Sequence, residues 1–226
     1  MKTIDADAAR AHLVAADPVM ARLIATAGPF TPRPEGGDPF RSLARAIIFQ
    51  QLAGAAAGAI FNRFVGLFEL DPGRTGLRRT DPEWSAMADP FPEPAAVLAL
   101  SDEQMRSAGL SRQKVASLRS LAEHFAEKRL SAELFDEWED EEIIAHLTQV
   151  RGIGRWTAEM YLMFHLGRPD VLPVNDLGLN RAMEKLYGLS ALPKTADVQR
   201  IGAPWRPWAT VACWYLWRSF DVVVPD

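Results

Sequence analysis

The chain has 226 residues, 48% of them hydrophobic and 24% charged, so it can bury a large core as one compact body or as two lobes. No stretch stays apolar for the roughly 18 residues that a membrane span needs, the start MKTIDADAARAHLVAAD has no charged region leading into an apolar run, and the single cysteine, Cys213, excludes an internal disulfide. A cytoplasmic protein without a membrane partner is expected, and its net charge of −4 argues against gripping nucleic acid by bulk electrostatics.

In chain order, Asp5 to Ala16 has a helical pattern, and Asp17-Pro18 caps and opens a second helix that Gly28-Pro29 closes. Phe30 to Gly37 reads as a loop. Asp38-Pro39 repeats the start signal for a helix whose Leu43, Ala46, Ile47 and Gln50 share a face. Gln50-Gln51-Leu52 then breaks at Ala53-Gly54 before an alanine-rich helix carrying Ile60, Phe64 and Phe68. Asp71 to Pro94, rich in proline, glycine and arginine, reads as a loop with at most one short turn around Trp84. Ser101 and Gln104 form a capping box for a helix ending at Gly109, and Ser111 caps the next, with Val115, Leu118, Leu121, Ala122 and Phe125 as its core stripe. Acidic residues crowd Glu133 to Glu142, whereas Arg151, Arg155 and Arg168 face only Glu159 before Asp170, so a polarised field is expected.

In Val150-Arg151-Gly152-Ile153-Gly154 two glycines one residue apart allow positive backbone dihedrals and close approach to the backbone. Trp156, Met160 and Phe164 then recur at helical spacing, so a helix starts near Gly154 with its unpaired amides at the turn, an arrangement suited to a phosphate. An ordinary helix connection is the commoner meaning of Gly-x-Gly, and the motif alone does not choose. Downstream, Asp176 follows Pro173 and precedes a helix from Leu177 to Tyr187, which makes it an N-cap as well as a candidate site carboxylate. A short helix follows Thr195, and Trp205-Arg206-Pro207-Trp208 opens a last helix through Phe220. The fold class is all-α; the one strand-like run is the terminal Val222-Val223-Val224.

Gly-Ile-Gly-Arg-Trp-Thr-Ala, followed by Leu-Pro-Val-Asn-Asp, closely resembles the helix-hairpin-helix DNA glycosylases, and within them the 3-methyladenine DNA glycosylase II branch. The resemblance implies two helical lobes around a central cleft. Within a single unit over 1–226, a hairpin-bearing lobe at 38–187 is expected, with a second lobe from 1–37 plus 188–226. It implies Asp176 as the catalytic carboxylate, Trp156, Met160 and Trp217 as the base pocket with Trp217 stacking on the base, and Gly152, Gly154 and Thr157 at a DNA phosphate. Gln51, supported by Leu52, matches the residue that wedges into the gap left by an extruded base. Ala53 and Ala55 stand where the branch commonly has serine and lysine. Lys114 matches a phosphate contact, and Asp170 a structural loop residue. The main-chain carbonyls of Thr148, Val150 and Ile153 match positions that hold sodium or potassium in such hairpins. No other cofactor is expected, since iron-sulfur relatives need four cysteines.

Relatives that also cut the strand carry a lysine where this chain has Trp156, so no Schiff base can form there. The reading is a monofunctional hydrolase, a monomer acting on double-stranded DNA with alkylated bases, 3-methyladenine first. Two alternatives stay open: a catalytically weak DNA-damage-binding protein of the same fold, and a non-enzymatic helical DNA-contact module.

Overall fold

The structure, a computed structural model, describes residues 4–31, 37–68 and 91–222, and every regular element among them is helical. Trp84, most of the proline-rich loop, and Val223 and Val224 lie outside the described residues. No described helix is long and apolar enough to cross a membrane.

The chain divides into two compact units, one made of 1–36 with 155–226 and the other of 37–154. The first opens with α1 (Ala6–Ala16) and α2 (Pro18–Ala27). The second holds α3 (Pro39–Phe49), α4 (Gly54–Val65), α5 (Pro94–Ala99), α6 (Asp102–Ser107), α7 (Arg112–Ala126), α8 (Ala132–Glu137) and α9 (Asp140–Leu147). The chain then returns to the first unit with α10 (Arg155–Phe164), α11 (Leu177–Leu186), α12 (Thr195–Gly202), a 3-10 turn at Ala203–Trp205 and α13 (Ala209–Arg218).

Local capping explains most of the helix starts. Asp5, Asp17, Asp38, Ser101, Ser111, Ser131 and Asp176 each accept a backbone amide of the first turn, and proline occupies the opening turn of α2 and α3. Between the two glycine signals at Gly54 and Gly66, α4 ends before Phe68, which packs edge-on against Phe64 from the following turn. Within the 37–154 unit, α7 packs on α3 and α5, burying Leu43, Ile47, Val97, Leu118 and Leu121. His124 is buried on the same helix, where its ring meets the Ser120 carbonyl and the Arg129 guanidinium. The guanidinium of Arg119 ties α7 to the end of α5 through the carbonyls of Leu98 and Leu100 and to Asp102.

The division falls near residue 37 and, for the second boundary, between Gly154 and Arg155. Side chains far apart in sequence set it there. Thr210 donates to the Arg168 carbonyl (2.7 Å) and accepts from the Val171 amide (3.0 Å), while Arg206 pairs with Asp170 at 2.9 Å. These contacts tie 155–187 to the C-terminal segment.

In the same unit a buried carboxylate, Asp17, gathers four donors. One oxygen takes the amides of Val19 (2.8 Å) and Met20 (3.2 Å), the other the Tyr187 hydroxyl (2.6 Å) and the Trp205 indole N–H (2.9 Å). It therefore pins the start of α2 to the end of α11 and to the 3-10 turn. Burial, and next the Asp17 carboxylate, hold the Tyr187 phenol well above its ordinary range. In an unfolded chain the phenol ionises near pH 10, whereas in the folded one it stays protonated, so its contribution is complete below about pH 10 and declines above it. Urea unfolding between pH 9 and 11 should show stability falling as pH rises. Tyr187→Phe should lose about 1–3 kcal/mol at neutral pH by removing one of the four donors of the buried Asp17, and its alkaline decline should be shallower than that of the parent.

Candidate active site and hairpin

Asp176 caps α11 through the Leu179 amide, which donates to Oδ1. The same oxygen accepts the Trp217 indole N–H at 3.0 Å, and Oδ2 accepts the Trp156 indole N–H at 2.6 Å. With 9% exposure, the carboxylate has three donors and, among the described residues, no cation bonded to it. A buried charge is tolerable only when hydrogen bonds replace its lost water, and the two indoles and one amide do that here. Each oxygen has two acceptor directions, so Oδ1 is filled and Oδ2 keeps one free. The neighbouring Cys213 is fully buried, and burial first, then the Asp176 charge, push its thiol well up.

Both tryptophans expected in the base pocket therefore bind the carboxylate by their edges. Trp156 leaves its ring 48% exposed on the first turn of α10, with Met160 half-buried one turn on. Trp217, half-buried, packs at 5.9 Å against Phe164. The exposed aromatic face beside Asp176 thus belongs to Trp156, although the resemblance points to Trp217 for stacking. Leu177, read in the sequence only as a helix start, is also exposed there. Asp170 serves elsewhere, accepting the Ala209 amide at 3.2 Å and pairing with Arg206, so that it holds the start of α13. Arg155 is paired with the buried Glu159 at 2.9 Å, which offsets part of the positive field expected after the hairpin.

In the 37–154 unit, the turn after α9 is seated by side chains from two other helices. The Gln50 amide donates to the Gly152 carbonyl at 3.0 Å, and the Ser120 hydroxyl accepts the Arg151 amide at 3.1 Å. The amides of Val150 and Ile153 are bonded to Leu147 and Val150. Those of Gly152 and Gly154 have no acceptor among the described residues, so the turn presents alternate amides unpaired. Thr157, grouped with them in the sequence, is buried in the first turn of α10. The carbonyls proposed for a cation, those of Thr148, Val150 and Ile153, lie on this turn, and that of Val150 spends one lone pair on the Ile153 amide. No cluster of three or more His, Cys, Asp or Glu suited to a metal is found among the described residues.

The two hairpin glycines are not equivalent. Gly152 has φ +81°, and a β-carbon there would collide with the Ser117 hydroxyl and come within 3.0 Å of its Cβ. Gly154 has no positive φ and open space where a β-carbon would go. Of the two glycines, only Gly152 uses the positive dihedral that glycine allows.

Gln51 and Leu52 are exposed at the end of α3, and Gln51 sits at φ +58°. A non-glycine residue in that region carries strain of order 1–3 kcal/mol, a condition that recurs where a side chain must be held out for a ligand. Lys114 does not reach outward as expected of a phosphate contact. Its ammonium donates to the carbonyls of Ile48 and Gln50 (2.9 Å for the latter), closing the C-terminus of α3 beneath Gln51, and burial pushes its pKa down. Sequence alone held no signal for this, because the partners are main-chain atoms 64 and 66 residues away.

Residues 44–207 match the HhH-GPD superfamily base excision DNA repair protein family. The chain belongs to that superfamily. A DNA-3-methyladenine glycosylase 1 of Schizosaccharomyces pombe is 34% identical over 93% of this chain and 86% of its own length. The alkylbase DNA glycosidase-like protein mag2 of the same yeast is 31% identical over 96% of this chain and 95% of its own. The solved structure of the S. pombe 3-methyladenine DNA glycosylase Mag1 in complex with abasic DNA gives a TM-score of 0.78 at 33% identity, covering 97% of this chain and 99% of that one. The all-α fold is that of the HhH-GPD DNA glycosylases.

In an HhH-GPD protein with this turn, two glycine substitutions should separate folding from DNA contact. Gly152→Ala should lower the thermal midpoint, through strain of about 1–3 kcal/mol and the Ser117 clash. Gly154→Ala should leave the midpoint unchanged yet weaken duplex binding, because its methyl group stands where a phosphate would approach the free amide. Thermal scans and salt-dependent binding of a short duplex read both. Unchanged duplex affinity in Gly154→Ala would make the turn purely structural.

Proposed function

We propose that this protein is a monofunctional DNA glycosylase that hydrolyses the N-glycosidic bond of alkylated purines in double-stranded DNA, 3-methyladenine foremost, and so begins base excision repair. The observation that carries the reading is the buried Asp176 carboxylate held by two indole N–H groups, with one acceptor direction left on Oδ2. The names of the two yeast relatives support the lesion class.

A purine alkylated at a ring nitrogen is cationic, so the C1′–N bonding pair leaves on the base and neutralises it, and little protonation is required. Charge then appears on the sugar. Asp176 stabilises this oxocarbenium character, the free direction of Oδ2 takes a proton from the water whose oxygen bonds to C1′, and fixed donors keep the carboxylate from reorganising. The Trp156 face offers the flipped cationic base stacking and cation-π attraction of about 0.5–2 kcal/mol. Extruding that base costs a few kcal/mol, which Gln51, with Leu52 beside it, offsets by filling the vacated stack. Gly152 and Gly154 supply amides for a backbone phosphate. At the same turn, the main-chain carbonyls of Thr148, Val150 and Ile153 would hold a sodium or potassium ion, whose positive charge would stiffen it.

Trp156 occupies the place where a strand-cutting relative has its amine, and its N–H is committed to Asp176. Water is therefore the nucleophile. Incubation with methylated duplex should release free 3-methyladenine and leave an abasic strand intact until alkali is added, with no adduct trapped by borohydride. A trapped adduct would overturn the monofunctional assignment. Lesion-preferring binding without base release would move the protein to a damage-binding role.

A further inference from the structure

Gly178 stands at the second position of α11, with no positive φ to demand glycine, in a helix where alanine is favoured by about 1 kcal/mol. What it meets explains it better than its backbone does. A β-carbon at this position would lie 3.2 Å from Asp176 Oδ1 and 3.5 Å from both Cδ1 and Nε1 of Trp217. Oδ1 is the filled oxygen, fixed by the Leu179 amide and the Trp217 indole, and 3.2 Å is tighter than a β-carbon ordinarily comes, whereas 3.5 Å to Trp217 is ordinary van der Waals contact.

We infer that Gly178 is a positioning residue: its missing side chain leaves Asp176 Oδ1 the room to sit where the Leu179 amide and the Trp217 indole fix the plane of the carboxylate. A methyl group would push Oδ1 by a few tenths of an ångström, strain its 3.0 Å bond to the Trp217 indole and rotate Oδ2 away from the direction in which it meets water. The effect would fall on the chemical step, because Gly178 itself need not touch the duplex. This inference rests on the assignment of Asp176 as the catalytic carboxylate.

The test is single-turnover release of 3-methyladenine by Gly178→Ala and Gly178→Val, run beside Asp176→Asn, with duplex affinity and thermal midpoint measured on each preparation. Gly178→Ala should keep its duplex affinity, match or exceed the parent midpoint, and still slow base release about tenfold, in line with the sensitivity of positioned groups to sub-ångström displacement. Gly178→Val should be slower again. Trp217→Phe removes the indole donor, so the loss from Gly178→Ala should be smaller in that background than in the parent if both act through the same bond. Parental base release by Gly178→Ala, or a loss that merely tracks a lowered midpoint, would overturn the inference while leaving Asp176 in place. Parental release by Asp176→Asn would remove the site assignment and the inference together.

Discussion

The structure of the site depends on one buried carboxylate that no cation among the described residues compensates. Removing Asp176 from water would be prohibitive for an isolated charge, and the protein meets that constraint with three N–H donors from separate places in the chain: the indole of Trp156 on α10, the amide of Leu179 on α11 and the indole of Trp217 on α13. Neutral donors hold the carboxylate in place while leaving its negative charge intact. A lysine or arginine partner would have cancelled part of the charge that the proposed chemistry uses. The same bonds join three helices of this unit, so the site and the packing around it are one arrangement.

The 37–154 unit uses a parallel economy of backbone groups. Gln50, Ser117 and Ser120 seat the turn at 150–154, and Lys114 closes the end of α3 under Gln51. A single α3 terminus thereby supports the exposed Gln51 and reaches the hairpin through Gln50. Rigid support of this kind lets a strained residue such as Gln51 keep its backbone conformation in the absence of a ligand.

Features that depend on neighbours in sequence are legible without coordinates. The caps at Asp17, Asp38, Ser101, Ser111 and Asp176, the glycine turn and the helical stripes follow from spacing, and the all-α fold follows from them. What spacing does not carry is the direction of a side chain's polar end. Trp156 reads as pocket lining and Trp217 as a stacking ring, while their N–H groups reach Asp176 across 20 and 41 residues. Lys114 reads as a phosphate contact for the same reason, since carbonyls at a helix end leave no trace in residue identity. Gly152 and Gly154 look alike until the Ser117 side chain distinguishes them, and the unit boundary at Arg155 rests on contacts to 206–217 that no local pattern encodes.

The central claim is that the charge of Asp176, not that of Asp170, carries base release. Asparagine at 176 keeps the size and the capping oxygen, whereas asparagine at 170 weakens the Arg206 pair and leaves the site carboxylate untouched. Single-turnover release of 3-methyladenine by the two variants, with abasic-duplex affinity measured alongside, compares them directly. Asp176→Asn should bind normally and release base about 100- to 1000-fold more slowly, the range for losing one preorganised electrostatic group, while Asp170→Asn should remain within a few-fold of the parent. Near-parental release by Asp176→Asn together with loss in Asp170→Asn would contradict the account and place the reacting carboxylate in the loop before Val171.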